Sequence, residues 1–130
     1  MKPTFFDNPA VESYRDLVVW QKGITLTKLV YTLSRAFPVE EKFGLTSQIR
    51  RSAVSVPSNI AEGQARHTTG AFIQFISHAE GSNAELDTQL HLAVELGFAT
   101  VGSASPCFAL VSDIRKMLNG LRRSLQARPN

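Results

Sequence analysis

Cysteine is nearly absent. Cys107 stands alone in 130 residues, which excludes an intramolecular disulfide framework. No apolar run approaches the roughly 20 residues that cross a bilayer. The opening MKPTFFDNPAVESY lacks the continuous apolar core of a signal peptide. A cytoplasmic protein without membrane association is expected. Strand-like alternation, internal repeats and low-complexity tracts are missing too. So are a phosphate loop, a dinucleotide fingerprint and a G-x-S-x-G elbow. His67, His78 and His91 are spread out, and no Glu-x-x-His pair exists to build a di-iron bundle site. His91 and Glu95 form one four-residue pair, a spacing common by chance. No metal, no cofactor and no enzymatic activity are expected.

What is present is helical periodicity. The length fits one domain with a single core, and 43% hydrophobic with 19% charged residues is ordinary for a soluble globular chain. Residues 1–13 read as a tail that docks through Phe5 and Phe6. A first helix is expected from about Tyr14 to Ala36. One stripe on it holds Leu17, Trp20, Ile24 and Tyr31; a neighbouring stripe holds Val19, Leu26, Val30, Leu33 and Phe37. Together they are wider than one partner helix covers. Gly23 within it is expected to admit another backbone closely.

The centre of the chain is Phe43–Gly63. Leu45, Ile49, Ala53, Val56 and Ile60 recur at helical spacing, opposite Gln48, Arg51, Ser55 and Glu62. Pro57 interrupts this run. It cannot donate to the carbonyl of Ala53, so a kink is predicted there. In an isolated helix such a proline costs roughly 3 kcal/mol. Pro38 ends the first helix or opens the second, which places Glu40 and Glu41 near the positive end of the second helix dipole. Gly63 and the segment Gln64–Thr69 are read as the stop, with Thr68 or Thr69 capping a third helix.

That third helix, about Gly70 to Leu96, carries a seam of Phe72, Ile76, Ala79, Asn83, Leu86, Leu90 and Ala93. Ala79, Gly81 and Ser82 are small enough for close helix approach. Gly97 suits a left-handed cap. Thr100–Ser105 reads as a turn, with Pro106 opening a fourth helix. Its stripe is Leu110, Ile114, Met117, Leu121 and Leu125, widened by Val111 and Leu118. The predicted fold is an all-α, antiparallel up-down-up-down four-helix bundle over residues 14–125, with tails at 1–13 and 126–130.

Charge is unevenly placed. Residues 1–63 carry eight basic against six acidic residues, residues 64–100 one against four, and residues 101–130 five against one. Basicity therefore concentrates in the fourth helix, where Arg115 and Arg122, and Lys116 and Arg123, recur at seven. Two basic rows result, with Arg50, Arg51 and Arg66 as additions. Phosphates require only such point charges. No aromatic residue interleaves on that face, so sequence-specific readout is not expected. The simpler reading is attraction between the basic fourth helix and the acidic third, or plain solvation.

Several stretches carry a family resemblance. They are Tyr14–Lys22 (YRDLVVWQK), Phe37-Pro38, Glu41–Gly63 (EKFGLTSQIRRSAVSVPSNIAEG), Gly81-Ser82, Glu85-Leu86, Gln89-Leu90 and Leu96-Gly97-Phe98. Over about residues 14–125 the chain resembles the bacterial four helix bundle protein family, also called the 23S rRNA intervening-sequence protein family. The resemblance implies a small bundle assembling as a homopentamer. It is also similar to the accessory protein of diversity-generating retroelements, a basic pentameric barrel that binds nucleic acid and a reverse transcriptase. From that relative only the general scaffold carries over, since this chain is mildly basic.

Within the second-helix motif, Pro57, Asn59, Glu62, Gly63 and Glu85 are read as a structural polar network around the proline, with Ser52 nearby. If the second and third helices fold back around His67, Arg51 comes level with Asn83 and Gln48 with Leu86, so Arg51 or Gln48 reaches Glu85. An active site built on Asn59 and Glu62 is the weaker alternative. Cys107 is read as a buried structural cysteine rather than a thiolate at a helix start. The functional expectation is a non-enzymatic homo-oligomer that binds RNA, DNA or a nucleic-acid-handling protein. The alternative is a protein interaction scaffold without nucleic-acid binding.

Overall fold

The computed structural model describes residue 6 and residues 11–127. The expectation for Phe5, and for the part of the C-terminal tail at 128–130, lies outside the described residues. Among those described there are four long helices and no strand: α1 (Val18–Ser34), α2 (Leu45–Ala65), α3 (Thr69–Glu95) and α4 (Val101–Gln126). Short 3-10 turns at Tyr14–Asp16 and Val39–Glu41 precede α1 and α2. Contacts run from α1 to α2, α2 to α3, α3 to α4 and α4 back to α1, so one core lies between all four.

The helices start and stop for identifiable reasons. A carboxylate oxygen of Glu41 accepts from the Leu45 amide at 3.0 Å, placing negative charge at the positive end of α2 as its sequence position implies. Thr68 caps α3 by accepting from Ala71 at 3.3 Å. Gly97 follows α3 with φ +78°, a conformation that costs glycine least. The α2–α3 turn is made by His67, whose φ of 57° is unusual for a residue with a side chain. Phe6 packs beside it, 5.6 Å from the His67 ring and 6.0 Å from Phe72.

Two expected boundaries are corrected. Pro106 does not open α4. The helix begins five residues earlier, at Val101, because Thr100 and Ser103 form a reciprocal capping box, with Ser103 N–H donating to Thr100 Oγ1 at 2.9 Å and Thr100 N–H to Ser103 Oγ at 3.0 Å. The segment Thr100–Ser105 is thus largely helical. Gly63 itself does not stop α2, which ends at Ala65, inside the expected stop segment Gln64–Thr69. It is buried instead at the α2–α3 contact, where a Cβ would lie 2.7 Å from Phe75 Cβ and 3.1 Å from Phe72 Cδ1. Gly81, expected to mediate close approach, faces open space.

The expected α2 and α3 seams form the core apart from half-buried Leu45, whereas the expected α4 stripe is shifted: Leu110, Met117 and Leu121 are only half-buried. All seven α3 seam residues are buried, as are Ile49, Ala53, Val56 and Ile60 on α2 and Val111, Ile114, Leu118 and Leu125 on α4. Each large side chain so buried stabilises by about 1.5–3 kcal/mol relative to exposure. Of the two α1 stripes, Leu17, Val19, Leu26, Val30 and Phe37 go inward, while Ile24 and Tyr31 keep more than a third of their surface exposed. Trp20 is half-buried, its ring 5.4 Å from that of Tyr14.

Candidate functional site

Pro57 organises the polar chemistry of the bundle. Its ring packs against Gly23 of α1, where a Cβ would sit 3.2 Å from Pro57 Cβ. One turn along α1, Thr27 Oγ1 lies 3.1 Å from the carbonyl oxygen of Ala53 and 2.8 Å from that of Gly23. A hydroxyl has one proton, so it is shared between the two. Ala53 is the acceptor that Pro57 cannot serve, and Thr27 supplies the missing donor from a neighbouring helix.

On the α3 side a chain of polar groups continues. Asn59 Nδ2 donates to the Ser55 carbonyl at 2.8 Å and to Ser55 Oγ at 2.9 Å. Ser55 Oγ and Ser82 Oγ are 2.8 Å apart. Ser52, buried, donates to Glu85 Oε1 at 2.7 Å. With Ser52 against Glu85 and Ser55 against Ser82, the register brings Arg51 level with Leu86 rather than Asn83. Neither Arg51 nor Gln48 bonds to Glu85; the serine takes that carboxylate. Asn83 serves α4 instead, donating to the Val111 carbonyl at 3.0 Å. Glu62 lies outside this network, exposed and paired with Arg66 at 3.1 Å.

The seven basic positions separate into two sets. Arg122 is engaged: its Nε lies 2.8 Å from Glu80 Oε1, and it also donates to Asn119 Oδ1 at 2.8 Å. Arg50 donates to Ser34 Oγ at 2.8 Å, its guanidinium 4.7 Å from the Tyr31 ring centre. Arg66, beside Glu62, also stands over Phe75 at 5.0 Å. Arg51, Arg115, Lys116 and Arg123 are exposed and make no ion pair with a described residue. The two rows on α4 are therefore unequal, since Arg122 is spent on holding α4 to α3.

Several surface grooves adjoin these cations: two, of about 620 and 230 Å³, are lined by Arg51 and Glu85 between α2 and α3, and two more lie elsewhere. One, between α3 and α4, has about 600 Å³ and is lined by Glu80, Asp87, Phe108 and Arg115. The other, about 480 Å³, is lined by residues of α1 and α2 and by Lys42 and Phe43 just before α2. Among the described residues no three His, Cys, Asp or Glu side chains gather as metal ligands. His91 sits 3.7 Å from Asp87. Cys107 is buried within α4, and burial pushes its thiol up from the usual range, which opposes thiolate chemistry. No helix of the described residues is long and apolar enough to cross a membrane.

Sequence reasoning missed Thr27 and the meeting of Arg50 with Tyr31, and it read the attraction of the basic fourth helix to the acidic third without naming the Glu80–Arg122 pair that supplies it. Each is a contact between helices, invisible to periodicity along one of them.

Comparison with known proteins gives a concordant result. The family model described as 23S rRNA-intervening sequence protein matches residues 15–120. A Bacteroides thetaiotaomicron protein of unknown function from the S23 ribosomal protein family has a similar crystal structure. It is 22% identical, with a TM-score of 0.75 over 81% of this chain and 98% of that one. No curated protein matches.

Proposed function

The chain belongs to the 23S rRNA-intervening sequence protein family, and from that membership we propose a non-enzymatic homo-oligomeric bundle that binds nucleic acid without sequence preference. The observation that carries this reading is the set of exposed cations Arg115, Lys116 and Arg123 on one helix, none of which makes an ion pair with a described residue. Repeated about a symmetry axis, three charges per copy become a ring that attracts phosphates through counterion release. The proposal includes a pentameric assembly and a cytoplasmic setting.

The finer architecture proposed is an antiparallel up-down-up-down bundle with α2 kinked at Pro57. Supporting the antiparallel order, Thr27 meets Ala53 while Ser34 meets Arg50, and Ser52 meets Glu85 while Ser55 meets Ser82. Supporting a kink, the helix lacks the Pro57 amide at a point where α1 supplies both a hydroxyl and a glycine.

A second reading, a protein interaction scaffold, is favoured by the uncovered apolar side chains Val18, Ile24, Tyr31 and Val54 on α1 and α2. A salt titration of RNA and DNA binding separates the two. The first predicts binding at low salt that falls steeply as salt rises, with a shallower slope in Lys116→Glu/Arg123→Glu. Absence of binding at low salt discards it in favour of the scaffold.

A further inference from the structure

Phe43 is 89% exposed. Burying a phenylalanine normally stabilises a fold by about 1.5–3 kcal/mol, and here the fold forgoes it. The ring lines the α1–α2 groove together with Tyr31, Val54, Lys42, Arg50 and Arg51. Three cations and two aromatic rings thus meet in one concavity whose lining includes no carboxylate among the described residues. Lys42 Nζ stands 5.5 Å from the Phe43 ring centre. Arg50 is fixed in place by its bond to Ser34 and its contact with Tyr31, so little side-chain freedom remains to be lost on binding. Arg51 has no ion-pair partner among the described residues.

We propose that this groove binds single-stranded nucleic acid, with an unpaired base stacked on Phe43 and adjoining phosphates held by Lys42, Arg50 and Arg51. The inference rests on the nucleic-acid reading above and specifies its ligand. Alternation of aromatic faces with cations is the arrangement that engages unpaired strands without sequence preference. A duplex keeps its base faces stacked, so it can use the cations but not the ring. The interleaving that α4 lacks is therefore found between α1 and α2.

The test is fluorescence anisotropy with labelled single-stranded RNA and DNA and with a duplex of the same sequence, comparing wild type with Phe43→Ala and Phe43→Tyr. Phe43→Ala should weaken single-strand binding about tenfold and leave duplex binding unchanged. Phe43→Tyr should retain single-strand affinity, because the face is kept. Both variants fold, since the ring contributes nothing to the core. Wild type binding both strands and duplex, with Phe43→Ala losing nothing on single strands, overturns the groove while sparing the broader function. Wild type binding neither overturns both. A change in the sedimenting mass of Phe43→Ala makes the groove a contact with a second copy and likewise overturns the proposal.

Discussion

The Thr27 hydroxyl on α1 stands 3.1 Å from the Ala53 carbonyl on α2, the acceptor that Pro57 strips of its amide donor. A proline in mid-helix is thereby tolerated through a bond between helices. Thr27→Val keeps the shape and removes the donor, leaving a buried carbonyl unpaired. Denaturant melts at fixed protein concentration should show a loss of about 1–3 kcal/mol. In a Pro57→Ala background the restored amide serves Ala53, so the same substitution should cost much less. Equal costs in both backgrounds would show that the two residues are not coupled.

Two glycine substitutions should act in opposite directions. Gly63→Ala drives a Cβ to within 2.7 Å of Phe75 Cβ, and overpacking of this kind costs about 1–3 kcal/mol despite the better helix propensity of alanine. Gly81→Ala meets nothing within 4 Å and should stabilise by about 0.5–1 kcal/mol. Thermal melts of the two variants, followed by circular dichroism, check both signs.

Charge substitutions on α4 should separate folding from binding. Arg122→Gln removes the partner of a half-buried carboxylate, Glu80, and should lower stability by about 1 kcal/mol. Lys116→Gln and Arg123→Gln should leave stability within about 0.5 kcal/mol of wild type. Each should reduce the salt slope of nucleic-acid binding by about one. Unfolding curves and salt titrations on the same preparations would report both effects.

Cys107 should make the fold more sensitive to alkali. Burial raises its thiol above the ordinary 9.0. Below that value the thiol is protonated in both folded and unfolded chains, and it contributes no pH dependence. Above it the unfolded chain releases a proton that the folded chain retains, so stability falls as pH rises. The slope for one proton is at most about 1.4 kcal/mol per pH unit. Cys107→Ala should lower overall stability but flatten this alkaline loss. An unchanged alkaline slope would show that other groups cause it.

Much of this fold was legible in the chain because each seam lies along one helix. Phe72 through Ala93, and Ile49 through Ile60, bury as their spacing requires. Helix starts were harder where a capping side chain competed with proline: Thr100 with Ser103 outweighs Pro106, and Gly63 serves packing rather than termination. The candidate site was legible only as residue types. Spacing set Arg115 and Arg122 in one row but gave no sign that Glu80 would claim the second. Thr27 was findable by asking which group replaces the Pro57 amide, since Gly23 and Thr27 fall one turn apart on α1.

The most direct test is sedimentation velocity of the free protein and of the protein with RNA at low salt. An assembly of several 14.3 kDa chains, five on the present account, should sediment as one species. RNA should join it and should leave as salt is raised. A 14.3 kDa monomer at micromolar concentration, or an assembly that never carries RNA, would contradict the account.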